Sequence, residues 1–385
     1  MKTETSACPQ VMIISSVHRW NDTRILYREA RTLSDKYCVE INAVAPFKQH
    51  KWEDIQIREL RRLPRWARPI NWITLGWRAL RSPARVIHFH DPELMPIGLL
   101  LRLCGKEVIY DVHEDVSLDL MEKSWIPFLL RRLAVWIYRF FQALADRFLS
   151  AIVTATEPIA TQFHHPRLTV ARNYPPADFF TETGSRPTYR VGSQLNLIYV
   201  GSITESRGVL EIIMACKYLP QSWDYRLTIL GGAEMDSAYG RQLSAAARPF
   251  NGRIEFQGHL DFKQAISALQ TAHIGLVCTQ PTPNDVVGLP LKLFEYMVAG
   301  LAVVMSDFPA WREYVTDYPL HESVNPTDPA AIAGGIRALV RRLQAVDSKQ
   351  VREDAREALN KYNWSSQAKS LLALYQGILP VGISI

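Results

Sequence analysis

The sequence lacks the features that would carry it across a membrane or out of the cell. It contains no uninterrupted apolar run long enough to span a bilayer, and no apolar signal core precedes its first predicted strand. Its five cysteines are odd in number and scattered, without a Cys-x-x-Cys spacing, which argues against a disulfide framework and a cysteine zinc site. We therefore expect a cytoplasmic protein with reduced thiols.

The sequence contains enough apolar residues to form two hydrophobic cores. The chain has 385 residues, of which 48% are hydrophobic and 10% aromatic, so a disordered chain is excluded and two domains are expected. A strand–helix alternation occurs twice, which predicts an α/β fold with two Rossmann-like, doubly wound domains facing across a cleft. The expected parts are a first domain (1–175), a linker (176–192), a second domain (193–355) and a helical tail (356–385) that packs back toward the first domain.

The alternation also predicts the individual elements. In the first domain, strands are expected at 11–15, 39–45, 86–90, 107–110 and 149–154, with helices at 24–34, 96–104 and 127–145. In the second, strands are expected at 195–200, 226–230, 253–256, 274–278 and 302–305, with helices at 208–218, 238–247, 262–271 and 291–299. Because ligands bind outside the carboxyl ends of parallel strands, the polar residues after each strand are the candidate site.

The segment from Gly288 to Asp307 is the most informative. Pro290 suits the first turn of a helix that starts at Leu291, and the open N-terminus of a helix attracts a phosphate. Lys292 and Glu295 lie three residues apart on that helix. A lysine and a carboxylate placed there could hold a diphosphate and a sugar hydroxyl, although Lys292 could also be a solvated helix residue.

Other turns of the second domain suit the same ligand. The first strand is followed by Gly201 and Ser202 and then by Arg207, a glycine-bearing turn that ends in a cation. Further candidates follow the later strands: Gly232, Gly258, His259 and Asp285. Several phosphate-suited turns in one domain predict that this domain binds a nucleotide.

Strand ends of the first domain carry histidines and acids instead. The candidates there are His18, Arg24, His90, Asp91, Glu93, His113 and Glu114. Any one of these histidines could be a structural hydrogen-bonding residue, but three histidine-bearing strand ends in one domain favour a site. His and Asp can ligate metals, yet these residues lie on separate strands without a compact spacing, so no metal is expected.

Taken together, these motifs resemble the family 4 retaining glycosyltransferases of the GT-B type over nearly the whole chain. The resemblance implies that Arg207 neutralises a donor diphosphate, that the backbone around Gly258 reads the base, and that Glu295 binds the ribose. It implies a catalytic set of His113, Arg207 and Lys292. The implied donor-binding residues are Gly201, Ser202, Gly232, Gly258, His259, Asp285, Gly288, Leu291 and Glu295, and the implied acceptor-side residues are His18, Arg24, His90, Asp91, Glu93 and Glu114.

Two positions depart from the family pattern. Val287 stands where the family has the first carboxylate of its Glu-x7-Glu motif, and Ser202 stands where it has the first of two basic residues. The sugar therefore stays open, as does the question of whether Asp285 substitutes. No cofactor is expected besides the substrate, a nucleoside-diphosphate sugar for which UDP is favoured over GDP. A nucleotide-sugar epimerase on the same fold is the alternative, and nucleic-acid binding is disfavoured because it leaves the phosphate turns unexplained.

Two basic stretches carry aromatic residues among their arginines. The range Arg58–Arg85 holds eight arginines and three tryptophans with Glu59 as its one acid, and the range Trp125–Arg147 has a similar character. Arginines with indoles suit an anionic membrane surface, whereas the alternative is that the aromatics are core and the arginines solvated. We expect the enzyme to be peripheral on the inner face of the membrane, where Arg58–Arg85 contacts anionic lipid and the acceptor is a saccharide or lipid-linked saccharide of cell-surface polysaccharide or glycolipid synthesis.

Overall fold

A computed structural model describes residues 10–122, 126–181, 189, 192–232 and 235–379. Trp125 and most of the expected linker lie outside these residues. The chain divides into two compact units, and each is described by itself: unit 1 comprises 1–173 together with 364–385, and unit 2 comprises 174–363. No helix in the described residues is both long and apolar enough to cross a bilayer.

Unit 1 is built on an eight-stranded sheet in the order β3-β4-β2-β1-β5-β6-β7-β8, parallel throughout except for the β3/β4 hairpin. Its strands are β1 (Val11–Arg19), β2 (Val39–Val44), β3 (Gln49–Trp52), β4 (Ile55–Leu60), β5 (Val86–Phe89), β6 (Glu107–Val112), β7 (Ala151–Thr154) and β8 (Leu168–Val170). A π-helical turn (Ile25–Ala30) leads into α1 (Arg31–Ser34), followed by α2 (Arg68–Arg81), α3 (Met95–Leu103), α4 (Val116–Glu122), α5 (Phe128–Phe148) and α6 (Glu157–Ala160). The strands β5 and β7 are fully buried and mostly apolar, as expected of parallel strands covered on both faces.

Unit 2 is built on a six-stranded parallel sheet in the order β11-β10-β9-β12-β13-β14. Its strands are β9 (Leu195–Val200), β10 (Tyr225–Leu230), β11 (Ile254–Gly258), β12 (Ile274–Val277), β13 (Ala302–Ser306) and β14 (His321–Val324). Its helices are α7 (Asp178–Thr181), α8 (Val209–Ala215), α9 (Ala238–Ala247), α10 (Phe262–Gln270), α11 (Pro283–Val287), α12 (Leu291–Ala299), α13 (Pro309–Arg312), α14 (Pro329–Ala345) and α15 (Ser348–Lys361).

The last helix, α16 (Trp364–Ile378), belongs to unit 1. Its indole Trp364 Nε1 donates to Thr32 Oγ1 at 2.7 Å, and its buried Tyr375 hydroxyl lies 2.8 Å from His88 Nδ1. Gln367 Oε1 accepts the backbone N–H of Arg172 at 3.0 Å. The carboxyl-terminal helix is therefore part of the structure that holds the strand ends of unit 1.

The predicted elements agree with the structure where periodicity is strong and fail at one place that matters. The range Arg58–Arg85 was expected to lie between strands, but Arg58 is inside β4, and α2 begins at Arg68. The alternation of buried and exposed residues along Ile55–Leu60 is the strand signal that was overlooked. The predicted helix 24–34 is also different, because it opens with the i→i+5 bond from Glu29 N to Arg24 O.

Candidate functional site

In unit 2 the candidate residues gather where the strand order reverses. β9 lies between β10 and β12. The chain leaves β9 toward β10 on one side and leaves β12 toward β13 on the other, so a crevice opens between these two connections at the carboxyl ends of the strands. Gly201 and Gly208 in the turn after β9 both have positive φ, +144° and +68°. The turn thus follows a path that favours glycine and exposes backbone to a ligand.

Lys292 reaches this turn from the first residues of α12. A Cβ added to Gly201 would lie 2.0 Å from Lys292 Cε and 2.6 Å from its Nζ, so glycine at 201 makes room for the lysine. Burial, followed by the nearby positive charge of Arg207, lowers the pKa of Lys292 to about 8. A bound anion would stabilise the charged form of an amine that is held next to a second cation in this way.

Arg207 is positioned by a carboxylate. Its NH1 lies 3.0 Å from Asp285 Oδ1, and the other oxygen of Asp285 accepts the hydroxyl of Thr282 at 2.9 Å. Thr282 also caps α11 by accepting the N–H of Asp285. Both oxygens of Asp285 are thus engaged, one by Arg207 and the other by Thr282, while Val287, two residues further along α11, is 53% exposed.

The other predicted donor residues surround this pair of cations to different extents. Ser202, Gly232, Gly258 and His259 are exposed, and Gly231 N donates to Gly258 O at 2.7 Å, which ties two of the turns together. Gly288 O accepts Trp311 Nε1 at 2.9 Å, and Leu291 is the first residue of α12. Glu295 is partly buried one turn further along that helix.

In unit 1 the strand order reverses at β1, which lies between β2 and β5. Asp91, just after β5, accepts the Ser15 hydroxyl at 2.8 Å and the Ser16 N–H at 2.6 Å, both on Oδ2. His18 Nδ1 lies 2.9 Å from Asp91 Oδ1. Although burial opposes it, the hydrogen bond and charge of Asp91 raise the pKa of His18 to about 9, so this pair is ionic at neutral pH.

Beneath that pair lies a buried ionisable cluster. Arg24 donates from Nε and NH2 to the two oxygens of Asp111, both at 2.8 Å, and from NH1 to Ala171 O at 2.7 Å. Asp111 Oδ2 also lies 3.6 Å from His90 Nδ1 and 3.6 Å from His113 Nε2. These two ring nitrogens are 2.9 Å apart, so His113 is hydrogen-bonded to His90.

The cluster includes the donor set of a metal site but not its geometry. Single donor atoms of Glu29, His88, His90 and Asp111 lie within 4.8 Å of one another. Arg24 Nε, however, already lies 2.8 Å from both carboxylates. The rings of His88 and His90 are stacked at an interplanar angle of 20°, and an ion close to the plane of one such ring lies off the plane of the other. We assign the cluster to hydrogen bonding.

The structure therefore separates the predicted acceptor-side residues into two groups. Arg24, His90 and Asp91 are buried, so they act on a ligand only through the residues they hold, whereas His18, Glu93 and His113 are partly accessible and Glu114 is exposed. Glu93 accepts from Ser16 Oγ at 2.6 Å and from Trp72 Nε1 at 2.8 Å.

Sequence reasoning missed Glu29, His88 and Tyr375 as parts of the cluster, although it did single out Asp111 at the strand end that carries His113. Glu29 had a usable signal, because it lies on the buried face of its helix between Leu26 and Leu33. An acid at an apolar position of an amphipathic helix indicates a buried partner. Tyr375 had no such signal, since it reaches His88 from the other end of the chain.

Solved structures define the class of fold. The chain superposes on sucrose-phosphate synthase from Thermosynechococcus elongatus with a TM-score of 0.73 and 14% identity, covering 96% of this chain and 98% of that one. A glycosyltransferase from Rickettsia africae matches with a TM-score of 0.68 and 13% identity over 96% and 98% of the two chains. The expected GT-B class, with two Rossmann-like domains, is confirmed. That the domains face each other across a cleft stays a prediction.

Sequence comparison shows a similarity to one family. Residues 194–342 match the family model described as "Glycosyl transferases group 1". Phosphatidyl-myo-inositol mannosyltransferase of Mycobacterium tuberculosis H37Rv is 26% identical over 196 residues, 49% of this chain and 49% of that protein. The Mycobacterium leprae protein of the same name is 28% identical over 191 residues, 49% and 48% of the two lengths.

The matches thus span about half the length of these curated relatives. They confirm the predicted resemblance and the glycosyltransferase class at the level of the domain family. None of the proteins compared here supports the epimerase alternative.

Proposed function

We propose that this protein transfers a sugar from a nucleoside-diphosphate donor to a saccharide or lipid-linked saccharide, with retention of anomeric configuration. The observation that carries the proposal is the placement of Lys292 against Gly201 beside Arg207, at the point where the strand order of unit 2 reverses. Two cations at a glycine turn and a helix N-terminus suit a diphosphate. The family match of residues 194–342 supports the same assignment.

The chemistry follows from where charge develops. Breaking the anomeric bond leaves negative charge on the diphosphate, and Lys292, Arg207 and the N–H groups at the start of α12 would stabilise that leaving group. This stabilisation is larger in the transition state than in the ground state, so it raises turnover. Glu295 would bind the ribose, and His113 would orient the donor sugar or the acceptor. UDP remains the favoured carrier, and a related fold has been solved with UDP-2-fluoro glucose.

The donor half of the proposal is tested by thermal shift with UDP, GDP, ADP and their sugar conjugates, since selective binding raises the melting temperature. One nucleotide should stabilise the wild type, Lys292→Ala should lose most of that shift, and Lys263→Ala, an exposed lysine of α10, should keep it. Nucleotide release should then require an acceptor. Release of an altered nucleotide sugar without any acceptor would overturn the proposal.

The acceptor half rests on an exposed apolar surface of unit 1. Helices α2, α3 and α5 are neighbours, and together with the turn that precedes α2 they leave large apolar side chains exposed, here called the apolar face: Trp66, Ile70, Ile73, Trp77, Leu80, Leu100, Leu103, Phe128, Leu129, Leu130, Leu133, Trp136, Ile137, Phe140 and Phe148. Trp136 is 67% exposed and Trp66 83% exposed. A patch of this extent is typical of an interaction site.

Charge indicates which partner covers the apolar face. Exposed arginines lie in the same stretches of the chain: Arg61, Arg62, Arg65, Arg81, Arg85, Arg132, Arg139 and Arg147. Each cation near an anionic bilayer contributes on the order of 1 kcal/mol, and indoles favour the headgroup level. We therefore propose peripheral docking on the cytoplasmic leaflet, where a lipid-linked acceptor would be carried. The lipid in the names of the mycobacterial relatives supports an acceptor of this class.

Vesicle flotation tests this docking. The wild type should bind anionic vesicles and not neutral ones, and Trp77→Ser with Trp136→Ser, or Arg61→Glu with Arg62→Glu and Arg132→Glu, should abolish binding. The matched controls in unit 2 are Tyr218→Ser, which is 53% exposed, and Arg341→Glu. Concentration-dependent dimerisation that Trp136→Ser abolishes, with no vesicle binding, would mean that a second copy covers the face instead.

A further inference from the structure

A cavity of about 660 Å³, here called the basic cavity, opens in unit 1 away from the candidate site. It lies where α3 and α5 end and where β7 and β8 begin, and its lining includes Arg102, Ser150 and Arg167. These are the amino ends of the strands, whereas Asp91 and His113 follow carboxyl ends. The basic cavity is therefore separate from the residues that are expected to face the acceptor.

The charges around the basic cavity are mostly positive. Three arginines line it, Arg102, Arg147 and Arg167, against one carboxylate, that of Asp146. Arg147 and Arg167 are exposed, and within the described ranges neither guanidinium group has a hydrogen bond or an ion pair. A concave surface concentrates the field of such charges, so the cavity attracts an anion.

The backbone acceptors at the end of α5 are already bonded. Arg102 Nε donates to Phe148 O at 3.3 Å, and His165 Nε2 lies 3.0 Å from Leu149 O. The other ring nitrogen of His165, Nδ1, accepts the N–H of Arg167 at 3.0 Å, so in the neutral ring Nε2 carries the proton and donates it. These two carbonyls would otherwise repel an anion, because the carboxyl end of a helix is negative.

The side-chain acceptors of the lining are bonded as well. Both oxygens of Asp146 lie 3.0 Å from the N–H of His164, and Ser150 Oγ accepts the N–H of Val108 at 2.8 Å. What the lining still offers to a ligand is the pair of unpaired guanidinium groups, each a planar fork of N–H donors. Such forks match the oxygens of a phosphate, which can accept two N–H groups from one arginine.

The basic cavity adjoins the apolar face. Phe148, which is 56% exposed, lines the cavity and belongs to the apolar face, and Leu103, which is 86% exposed, directly follows Arg102. A phosphate in the cavity therefore has apolar surface beside it. A free phosphate has nothing to place there, whereas a phospholipid carries acyl chains next to its phosphate. The combination favours a lipid.

We propose that the basic cavity binds the phosphate of an anionic lipid headgroup, with the acyl chains against Phe148 and Leu103. Arg147 and Arg167 pair with the phosphate oxygens. This site builds on the peripheral docking proposed above and adds to it a defined place for one headgroup. The bound lipid is an anchor and not the acceptor, because the cavity lies at the opposite edge of the sheet from His113.

Calorimetry with dihexanoyl phosphatidic acid, kept below its micelle concentration, tests the site without a membrane. The wild type should bind one molecule, and Arg147→Gln with Arg167→Gln should weaken binding at least about tenfold, because the charge-assisted hydrogen bonds to the phosphate are lost. Arg132→Gln with Arg139→Gln is the matched control, since it removes two exposed arginines of α5 that lie outside the lining, and it should keep the affinity. Equal losses in the two double variants would assign the attraction to general surface charge and overturn the proposal.

Glycerol 3-phosphate separates a lipid from a soluble phosphate, because it carries the phosphate without acyl chains. It should bind at least about tenfold more weakly, since two buried methylene groups already contribute that factor. Equal affinity would make a soluble phosphate the ligand and overturn the lipid assignment. Vesicle flotation without any binding of the short-chain lipid would reject the basic cavity and leave peripheral docking intact. Binding of the short-chain lipid without flotation would support the site and reject the docking.

Discussion

The two units use the same arginine–aspartate geometry in opposite surroundings. In unit 1, Arg24 donates to both oxygens of Asp111 at 2.8 Å, and both residues are buried. In unit 2, Arg312 donates to both oxygens of Asp307 at 2.6 and 2.7 Å, and both are exposed. Water solvates the second pair whether or not it forms, whereas the first pair is solvated by the partner and by a few other protein groups such as the carbonyl of Ala171.

This difference extends to the candidate sites. Unit 2 presents Lys292, from α12, and Arg207, in the turn after β9, beside Gly201, where an incoming anion can pair with them. Unit 1 encloses its charges in a cluster whose accessible part is the edge of His113. A substitution in unit 2 should therefore alter binding, whereas a substitution in unit 1 should alter folding and protonation first.

The largest effect is expected for Arg24→Met. It leaves Asp111 buried without its cation, which typically costs about 3–5 kcal/mol. The melting temperature of unit 1 should fall sharply, or the variant should fail to fold. Arg312→Met, which breaks the same geometry at the surface, is the matched control and should not shift the melting temperature measurably. Equal effects of the two variants would remove the distinction between the units.

The second prediction concerns Glu29→Gln and has a definite sign. Because the pKa of Glu29 is raised on folding, its proton stabilises the fold below the ordinary value of 4.5, and this contribution is lost as pH rises toward the folded pKa. Glutamine has no proton to lose. The variant should match the wild type at pH 4 and exceed it increasingly at higher pH, by up to about 1.4 kcal/mol per pH unit. Denaturant unfolding at several pH values measures the difference, and a constant difference across pH would contradict it.

How far the sequence predicts these features depends on the range of the interactions. α12 was predicted with its observed bounds because Pro290 and Gly300 delimit it locally, and β9 because every residue in it except Asn196 is apolar or aromatic. The cluster of unit 1 could not be predicted, since Arg24 and Asp111 are 87 positions apart and Tyr375 is 287 positions from His88. The strand ends carrying His90 and His113 were found, but their burial depends on packing that periodicity does not encode.

In unit 2 the third prediction is that Gly201→Ala displaces Lys292. An added Cβ would clash with the lysine and strain a residue at φ +144°, so the amine would leave the turn. Losing a charge-assisted hydrogen bond costs about 1.5–3 kcal/mol, which is roughly 10- to 150-fold in nucleoside-diphosphate affinity. Gly334→Ala, within α14 of the same unit, is the control, because the nearest atom to its added Cβ is Arg337 NH2 at 3.9 Å. Calorimetry measures both, and equal losses would contradict a role for the Lys292 position in binding.

The smallest effect is expected from pH on donor binding. Burial and the charge of Arg207 lower the pKa of Lys292 to about 8, so above this value the free protein must take up a proton to bind a diphosphate through a charged amine. Affinity should therefore be constant below pH 7 and weaken by up to about tenfold between pH 7 and 9, because about a tenth of the amines remain charged one unit above the pKa.

Lys292→Arg keeps its charge throughout this range and should bind with little pH dependence. Calorimetry at pH 9 in two buffers of different ionisation enthalpy should detect proton uptake by the wild type and none by the variant. If proton uptake persists in Lys292→Arg, another group takes up the proton on binding. Lys292 of the wild type would then be charged over the whole pH range measured.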